Sequence, residues 1–342
     1  MSGYIEATVD NGVGVVTLNR PKALNALDIT MIREMYDTLV GWKTDDAVHT
    51  VLVRSASDRA FCAGGDIRAI RDSALAGNNG EVYGYFSEEY RLNELIADYP
   101  KPYVALVDGV NMGGGLGVSV HGSHHVVTEN AVLAMPETAI GFIPDVGASY
   151  FLTRIDGRAG LYYGLTGVRM SAGDALEAGL ATHHVPAEKL SAFADAIVAG
   201  GLEAALAQDY VTAGRGELES ALADDRAAID EAFAGDDVAA IRARLDSGDE
   251  PWRVAAREAL DAVSPWAQAV TAELLRRGGQ TAELGENLGN ELRVAVAMTK
   301  CPDFREGVRA MLVDKDRNPA WSPTTLAEVD AQAVQQVFEP QS

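Results

Sequence analysis

The sequence predicts an α/β fold: a core of short strands running into glycine turns and helices, followed by a mainly helical C-terminal region. Three observations carry this. A strand–turn–helix pattern recurs three times before residue 150, an apolar hairpin precedes it, and long Ala/Glu/Leu-rich stretches take over after about Pro186. The expected division is residues 1–186 as the core and 187–342 as helices packed on it.

Ile5, Ala7 and Val9 alternate, Asp10-Asn11-Gly12 turns the chain, and Val13 to Leu18 resumes the apolar run, which predicts a β-hairpin. Asp28 is placed to cap a helix whose Met31/Met35/Leu39 and Ile32/Tyr36/Val40 rows recur every four residues as one apolar face. The first repeat is Val51-Leu52-Val53, then Ala63-Gly64-Gly65-Asp66, then a helical Ile67-Arg68-Ala69-Ile70. The second is Tyr103 to Val107, then Gly113-Gly114-Gly115 and a small-residue stretch ending near His121. The third runs from Val126-Val127 and Val132 to Met135 into Pro136-Glu137, then to Pro144-Asp145-Val146-Gly147 and a short helix from Val146 to Leu152. Beyond Pro186, breaks at Gly200-Gly201, Gly214 to Gly216 and Asp246 to Pro251 divide the helical stretches. No a/d heptad persists there, so short packed helices are expected rather than a coiled coil.

The chain has 342 residues, and 50 acidic against 28 basic side chains give a formal charge of −22. Such a surface repels phosphate polyanions, so nucleic acid and anionic membranes are not expected partners. Two cysteines, Cys62 and Cys301, form neither a disulfide framework nor a zinc motif. With no signal-peptide pattern and no apolar run near the length of a membrane helix, the expectation is cytoplasmic.

The glycines match neither G-x-G-x-x-G nor a Walker loop, which disfavours dinucleotide and P-loop enzymes. After a strand, glycine allows close backbone approach and presents amide N–H groups at a helix start, a chemistry suited to an oxyanion. The bland alternative is tight strand–helix packing. Glu137 and Asp145 are separated by Thr138 to Pro144, a mostly apolar loop that would hold both carboxylates in a dry cleft. Read singly, Glu137 is a loop carboxylate and Asp145 a helix cap. The adjacent pairs His124-His125 and His183-His184 point to opposite faces of a strand and suit no metal. Ser119 lies outside any G-x-S-x-G elbow, and Cys62 reads as a small buried filler.

Taken together, Arg20-Pro21-Lys22-Ala23-Leu24-Asn25-Ala26-Leu27, Ala63-Gly64-Gly65-Asp66-Ile67, Gly113-Gly114-Gly115 and Pro136-Glu137 resemble the ordered signatures of the crotonase (enoyl-CoA hydratase/isomerase) superfamily. The likeness sharpens toward its 3-hydroxyacyl-CoA thioester hydrolases through Ser119-Val120-His121-Gly122, Met135 to Gly141, Pro144 to Gly147, Asp303 to Ala310 and Asp314-Lys315-Asp316. It spans almost the whole chain, most weakly from about 187 to 285. The resemblance implies a spiral of ββα units with appended helices, and hydrolysis of a short branched 3-hydroxyacyl-CoA, 3-hydroxyisobutyryl-CoA above all, as in valine breakdown. It assigns the amides of Gly65 and Gly114 to the thioester oxygen, and Glu137 and Asp145 to catalysis. Glu89 goes to the acyl pocket, while Lys22, Ala23, Leu24, Ala63, Asp66 and Ile67 go to coenzyme A. The hydratases of the superfamily carry a second glutamate two residues after the glycine triplet, where this chain has Gly117. An isomerase using Glu137 alone, or a non-catalytic acyl-CoA-binding protein, is the alternative. The expected partners are an acyl-CoA and, in a homo-oligomer, further copies of the chain. No metal and no cofactor beyond the coenzyme A of the substrate is expected.

Overall fold

The computed structural model describes residues 3–339, which group into two compact units interleaved along the chain. Unit 1 comprises residues up to Gly65, Arg91–Leu133 and Met170–Asp224. Unit 2 comprises Asp66–Tyr90, Ala134–Arg169 and residues from Asp225 onward. The contact grouping therefore does not follow the change of sequence texture near 186, since helices on the C-terminal side of that point belong to both units.

Unit 1 carries the strands, which are β1 (Ile5–Asp10), β2 (Val13–Leu18), β3 (Thr50–Ser55), β4 (Ala60–Cys62), β5 (Tyr103–Val107), β6 (Val110–Met112), β7 (His124–Val127), β8 (Val132–Ala134), β9 (Met170–Ser171), β10 (His183–His184) and β11 (Thr212–Ala213). A seven-stranded sheet has the order β1-β2-β3-β5-β7-β10-β11, and a second sheet has the order β4-β6-β8-β9. Pairing from β2 through β3, β5 and β7 to β10 is parallel, while β1 and β11 pair antiparallel at the two edges.

Each predicted repeat thus contains two strands, one for each sheet: β3 then β4, β5 then β6, β7 then β8. The strands of the second sheet are only three residues long, too short to show a period-two pattern of their own. Strands β2, β3 and β5 are buried along nearly their whole length, as parallel strands covered on both faces should be. The helix Leu190–Gly200 and the segment Leu202–Leu206 cover the long sheet. Phe193, Ile197 and Leu202 pack there among Val15, Leu52, Val104, Leu106 and Val126.

The hairpin forms as predicted, with Asn11 (φ 46°) and Gly12 (φ 81°) supplying the left-handed turn. Its alternation is only partly used, because Val9 on the edge strand is 47% exposed. Asp28 caps the helix Ile29–Lys43 by accepting from Met31 N–H at 2.9 Å. Of the two apolar rows, Met31, Met35, Leu39 and Ile32 are buried, whereas Tyr36 is only partly covered and Val40 is exposed. The expected face was therefore one row too wide.

Unit 2 is helical. The helix Pro265–Gly278 lies against Ala148–Phe151, Ala159–Thr166 and Ala331–Val337 and against the single turn Glu137–Ile140. Small residues permit this closeness. A Cβ on Gly278 would meet Ser149 O at 2.2 Å, and one on Gly307 would meet Ile140 C at 2.4 Å. The predicted helix from Val146 to Leu152 is shorter, Ala148–Phe151, and its N-cap is Gly147 rather than Asp145.

Candidate active site

In unit 1 the segment Arg20–Leu27 is stitched to Phe61–Gly65. The fully buried Asn25, itself left-handed at φ 56°, is the stitch. Its Nδ2 donates to Phe61 O at 2.9 Å and to Ser55 Oγ at 2.7 Å, and its Oδ1 accepts from Arg20 N–H at 2.8 Å. Ala63 N–H donates to Leu24 O, Leu27 N–H donates to Gly64 O, and the Cys62 thiol donates to Asn25 O. Lys22, Ala23, Leu24 and Ala63 are thereby brought together, with Lys22 exposed. The buried thiol fits the filler reading of Cys62.

Gly65 forms a parallel bridge with Leu27. Bonds in such a bridge run through the flanking residues, so the N–H of Gly65 itself is turned away from Leu27. Gly64 (φ 106°) and Gly113 (φ 49°) hold conformations that L side chains avoid, and a Cβ on Gly64 would lie 3.3 Å from Met112 O. The backbone leading to Gly65 therefore runs against the backbone leading to Gly114. Gly114 opens the turn Gly114–Gly117, where the first N–H groups lack intrahelical acceptors. These two amides are the oxyanion candidates of unit 1. Ser119 is buried and donates to Gly115 O, and His125 is buried with Nδ1 2.7 Å from Leu180 O. Both are structural.

In unit 2, Asp66 and Ile67 begin the helix Ile67–Leu75 without a side-chain cap, and Glu89 lies on the helix Asn79–Ala97. Glu137 opens its single turn directly after Pro136. That turn is clamped, because Thr138 Oγ1 donates to Leu165 O and Ser264 N–H donates to Thr138 O. Gly141 and Gly307 let Asp303 and Ile140 approach to backbone contact. Asp145 accepts at Oδ2 from the Tyr90 hydroxyl at 2.6 Å, so its carboxyl is not capping a helix.

Glu89, Glu137 and Asp145 are all buried, and burial pushes each pKa up, that of Asp145 to about 7. The Asp145 charge adds to the rise at both Glu89 and Glu137, which places the three carboxyls in one electrostatic group. Tyr90 opposes the rise at Asp145 by hydrogen-bonding the ionised form. Glu89 Oε1 and Glu137 Oε2 are buried with no hydrogen-bond partner among the described residues. A buried polar atom without a partner calls for a reason, and two of them fall within this group of carboxyls.

Sequence reasoning missed three supports. Asn25 stood inside a quoted motif but was assigned no task, and Tyr90 was the neighbour of a chosen glutamate. Glu291, on the helix Leu284–Met298, is fully buried and accepts from Gly147 N–H at 2.7 Å and Ser149 N–H at 2.8 Å. Nothing local marks it, since it reads as one more glutamate in an amphipathic helix. Val146, buried at φ 54°, is a β-branched residue in the left-handed region, a strain of about 1–3 kcal/mol that the surrounding turn must hold.

Tyr90→Phe should raise the titration midpoint of Asp145 above its present value of about 7, as read by pH titration of the carboxyl's NMR signal. The folded-state pKa already lies above the unfolded value, so this group favours folding in acid and the benefit is lost as pH climbs through about 7. Loss of a hydrogen bond to the charged form should cost about 2 kcal/mol more on the alkaline side. An unchanged midpoint would refute this account of the pair.

The enoyl-CoA hydratase/isomerase family profile matches residues 13–338. The chain is 41% identical to a protein of Gallus gallus named 3-hydroxyisobutyryl-CoA hydrolase, mitochondrial, over 96% of this chain and 87% of that one. It is 38% identical to the protein of that name from Homo sapiens, over 95% and 86%. Among solved structures, one described as a carnitinyl-CoA dehydratase from Mycobacterium thermoresistibile has a TM-score of 0.94 at 44% identity, covering 99% of this chain and 97% of that one. One described as an enoyl-CoA hydratase from Rhodobacter sphaeroides has a TM-score of 0.92 at 38% identity, covering 98% and 97%. No helix among the described residues is long and apolar enough to cross a membrane. The α/β repeat with its two strands per unit is thus the crotonase fold, and the chain belongs to the enoyl-CoA hydratase/isomerase family.

Proposed function

We propose that this chain hydrolyses the thioester of a short branched 3-hydroxyacyl-CoA, 3-hydroxyisobutyryl-CoA above all, releasing the hydroxy acid and coenzyme A as a step of valine breakdown. The observation that carries the reading is the acid group of unit 2. Glu137 is paired electrostatically with Asp145 and Glu89, while position 117 is a buried glycine with no carboxyl to offer. A hydration reaction that needs a second acid after the glycine triplet would lack it here. The names of the curated relatives point the same way; the dehydratase and hydratase names of the solved structures do not, and Gly117 is our reason for preferring the former.

In this reading Gly65 and Gly114 donate their N–H groups to the thioester oxygen as it becomes an oxyanion. Glu137 supplies the electron pair, either by attacking the carbonyl to form an anhydride that water then opens or by taking a proton from the attacking water. Asp145, with a pKa of about 7, returns a proton to the departing thiolate. Glu89 shapes the acyl pocket. Lys22, Ala23, Leu24, Ala63, Asp66 and Ile67 line the coenzyme, held largely by backbone groups. The coenzyme is part of the substrate, and the chemistry calls for no further cofactor.

Release of free thiol from a panel of acyl-CoA esters, run beside hydration of crotonyl-CoA, tests the proposal. Cleavage of 3-hydroxyisobutyryl-CoA should dominate. Hydration faster than any thioester cleavage would overturn it. The cytoplasmic expectation from the sequence is not supported by the vertebrate relatives, which carry "mitochondrial" in their names.

A further inference from the structure

The two amides that Glu291 accepts bracket the turn that Asp145 opens, in which Val146 and Gly147 are both left-handed. Its Oε1 also lies 2.6 Å from the Ser149 hydroxyl. Counting hydrogens extends this. Asn287 gives its amide N–H groups to Thr281 Oγ1 and to the carbonyl of Glu283, and the carbonyl fixes the orientation of the amide. The Oδ1 of Asn287, 3.0 Å from Ser149 Oγ, must then accept. A serine hydroxyl has one hydrogen and cannot serve both Asn287 and Glu291. Its hydrogen goes to the carboxyl oxygen of Glu291 at 2.6 Å, the shorter of the two contacts.

We propose that Glu291 is a positioning residue: a carboxyl group that pins the 145–149 turn by accepting bonds from two amides and from the Ser149 hydroxyl, and so fixes the aim of Asp145 toward Tyr90. Burial pushes its pKa up, and the three bonds it accepts from Ser149 and Gly147 oppose that rise. The two carboxyl oxygens together serve all three donors. A glutamine offers one oxygen, so one of the two N–H groups would face an NH2. The proposal rests on the reading of Asp145 as a participant in thioester hydrolysis.

The test is a double-mutant cycle on the full chain. Glu291→Gln should lower kcat for 3-hydroxyisobutyryl-CoA by on the order of 10–100-fold, the scale of a misplaced catalytic group, with KM nearly unchanged. In an Asp145→Asn background the same change should cost less than about twofold. Ser149→Ala, which keeps both amide bonds, should give a smaller loss of the same type, and it carries the test if Glu291→Gln does not fold. Wild-type kcat in both single variants, or an equal loss in the Asp145→Asn background, would overturn the inference. Full activity of Asp145→Asn itself would instead sink the reading of Asp145 and the inference with it.

Discussion

Glu137→Gln should lower kcat for thioester cleavage by about 10³-fold while coenzyme A binding persists. The amide keeps the shape of the carboxyl and the clamped turn that holds it, but it can neither attack a carbonyl nor take a proton from water. The same variant should be as thermally stable as the wild type or more so. Its carboxyl is buried beside Asp145 and Glu89, and these charges oppose its ionisation. A neutral side chain relieves that repulsion, so the function is held at the expense of stability. On the acid side, wild-type kcat should rise with pH as Glu137 ionises, with a midpoint above the ordinary glutamate range. Near-normal turnover by Glu137→Gln would remove Glu137 from the mechanism. A large loss of melting temperature would show its role to be structural.

The second large effect concerns the substrate's hydroxyl. Glu89 Oε1 and Glu137 Oε2 are buried without partners, and a site with such atoms rejects a ligand that leaves them unpaired far more strongly than one that leaves a small void. Isobutyryl-CoA, which lacks the hydroxyl, should therefore have a kcat/KM lower by about 10⁴-fold than 3-hydroxyisobutyryl-CoA. By contrast, 3-hydroxypropionyl-CoA lacks only the methyl branch and should lose no more than about 200-fold. Equal kcat/KM for the hydroxylated and deoxy esters would leave a generic acyl-CoA thioesterase.

Much of the frame was readable in the residues, because the signals involved were local. The hairpin at Asn11-Gly12, the Asp28 cap and strand β5 all depend on neighbours within a few positions. The second sheet was not readable as strands, since its members have three residues or fewer and their pairing comes from residues far along the chain. Asp145 shows the limit for the site. Aspartate ahead of a short helix is a cap by every local rule, but Gly147 takes that position and the Asp145 carboxyl goes to Tyr90, 55 residues away. Glu137 entered through a quoted motif and Glu89 only through the family resemblance. Glu291 had no motif, and only tertiary packing reveals that it closes the same turn.

The bond from Gly147 to Glu291 crosses 144 positions, and it imposes an order on the birth of the enzyme. Every strand among the described residues lies before Gly214, and unit 1 is complete at Asp224. A chain emerging from the ribosome can therefore assemble both sheets and both glycine turns while the helix Leu284–Met298 is still unmade. During that interval the turn of Asp145 lacks its bonds to Glu291, which hold the left-handed Val146 in place. A prematurely terminated chain therefore lacks the two amide bonds that tie the turn of Asp145 to the helix Leu284–Met298.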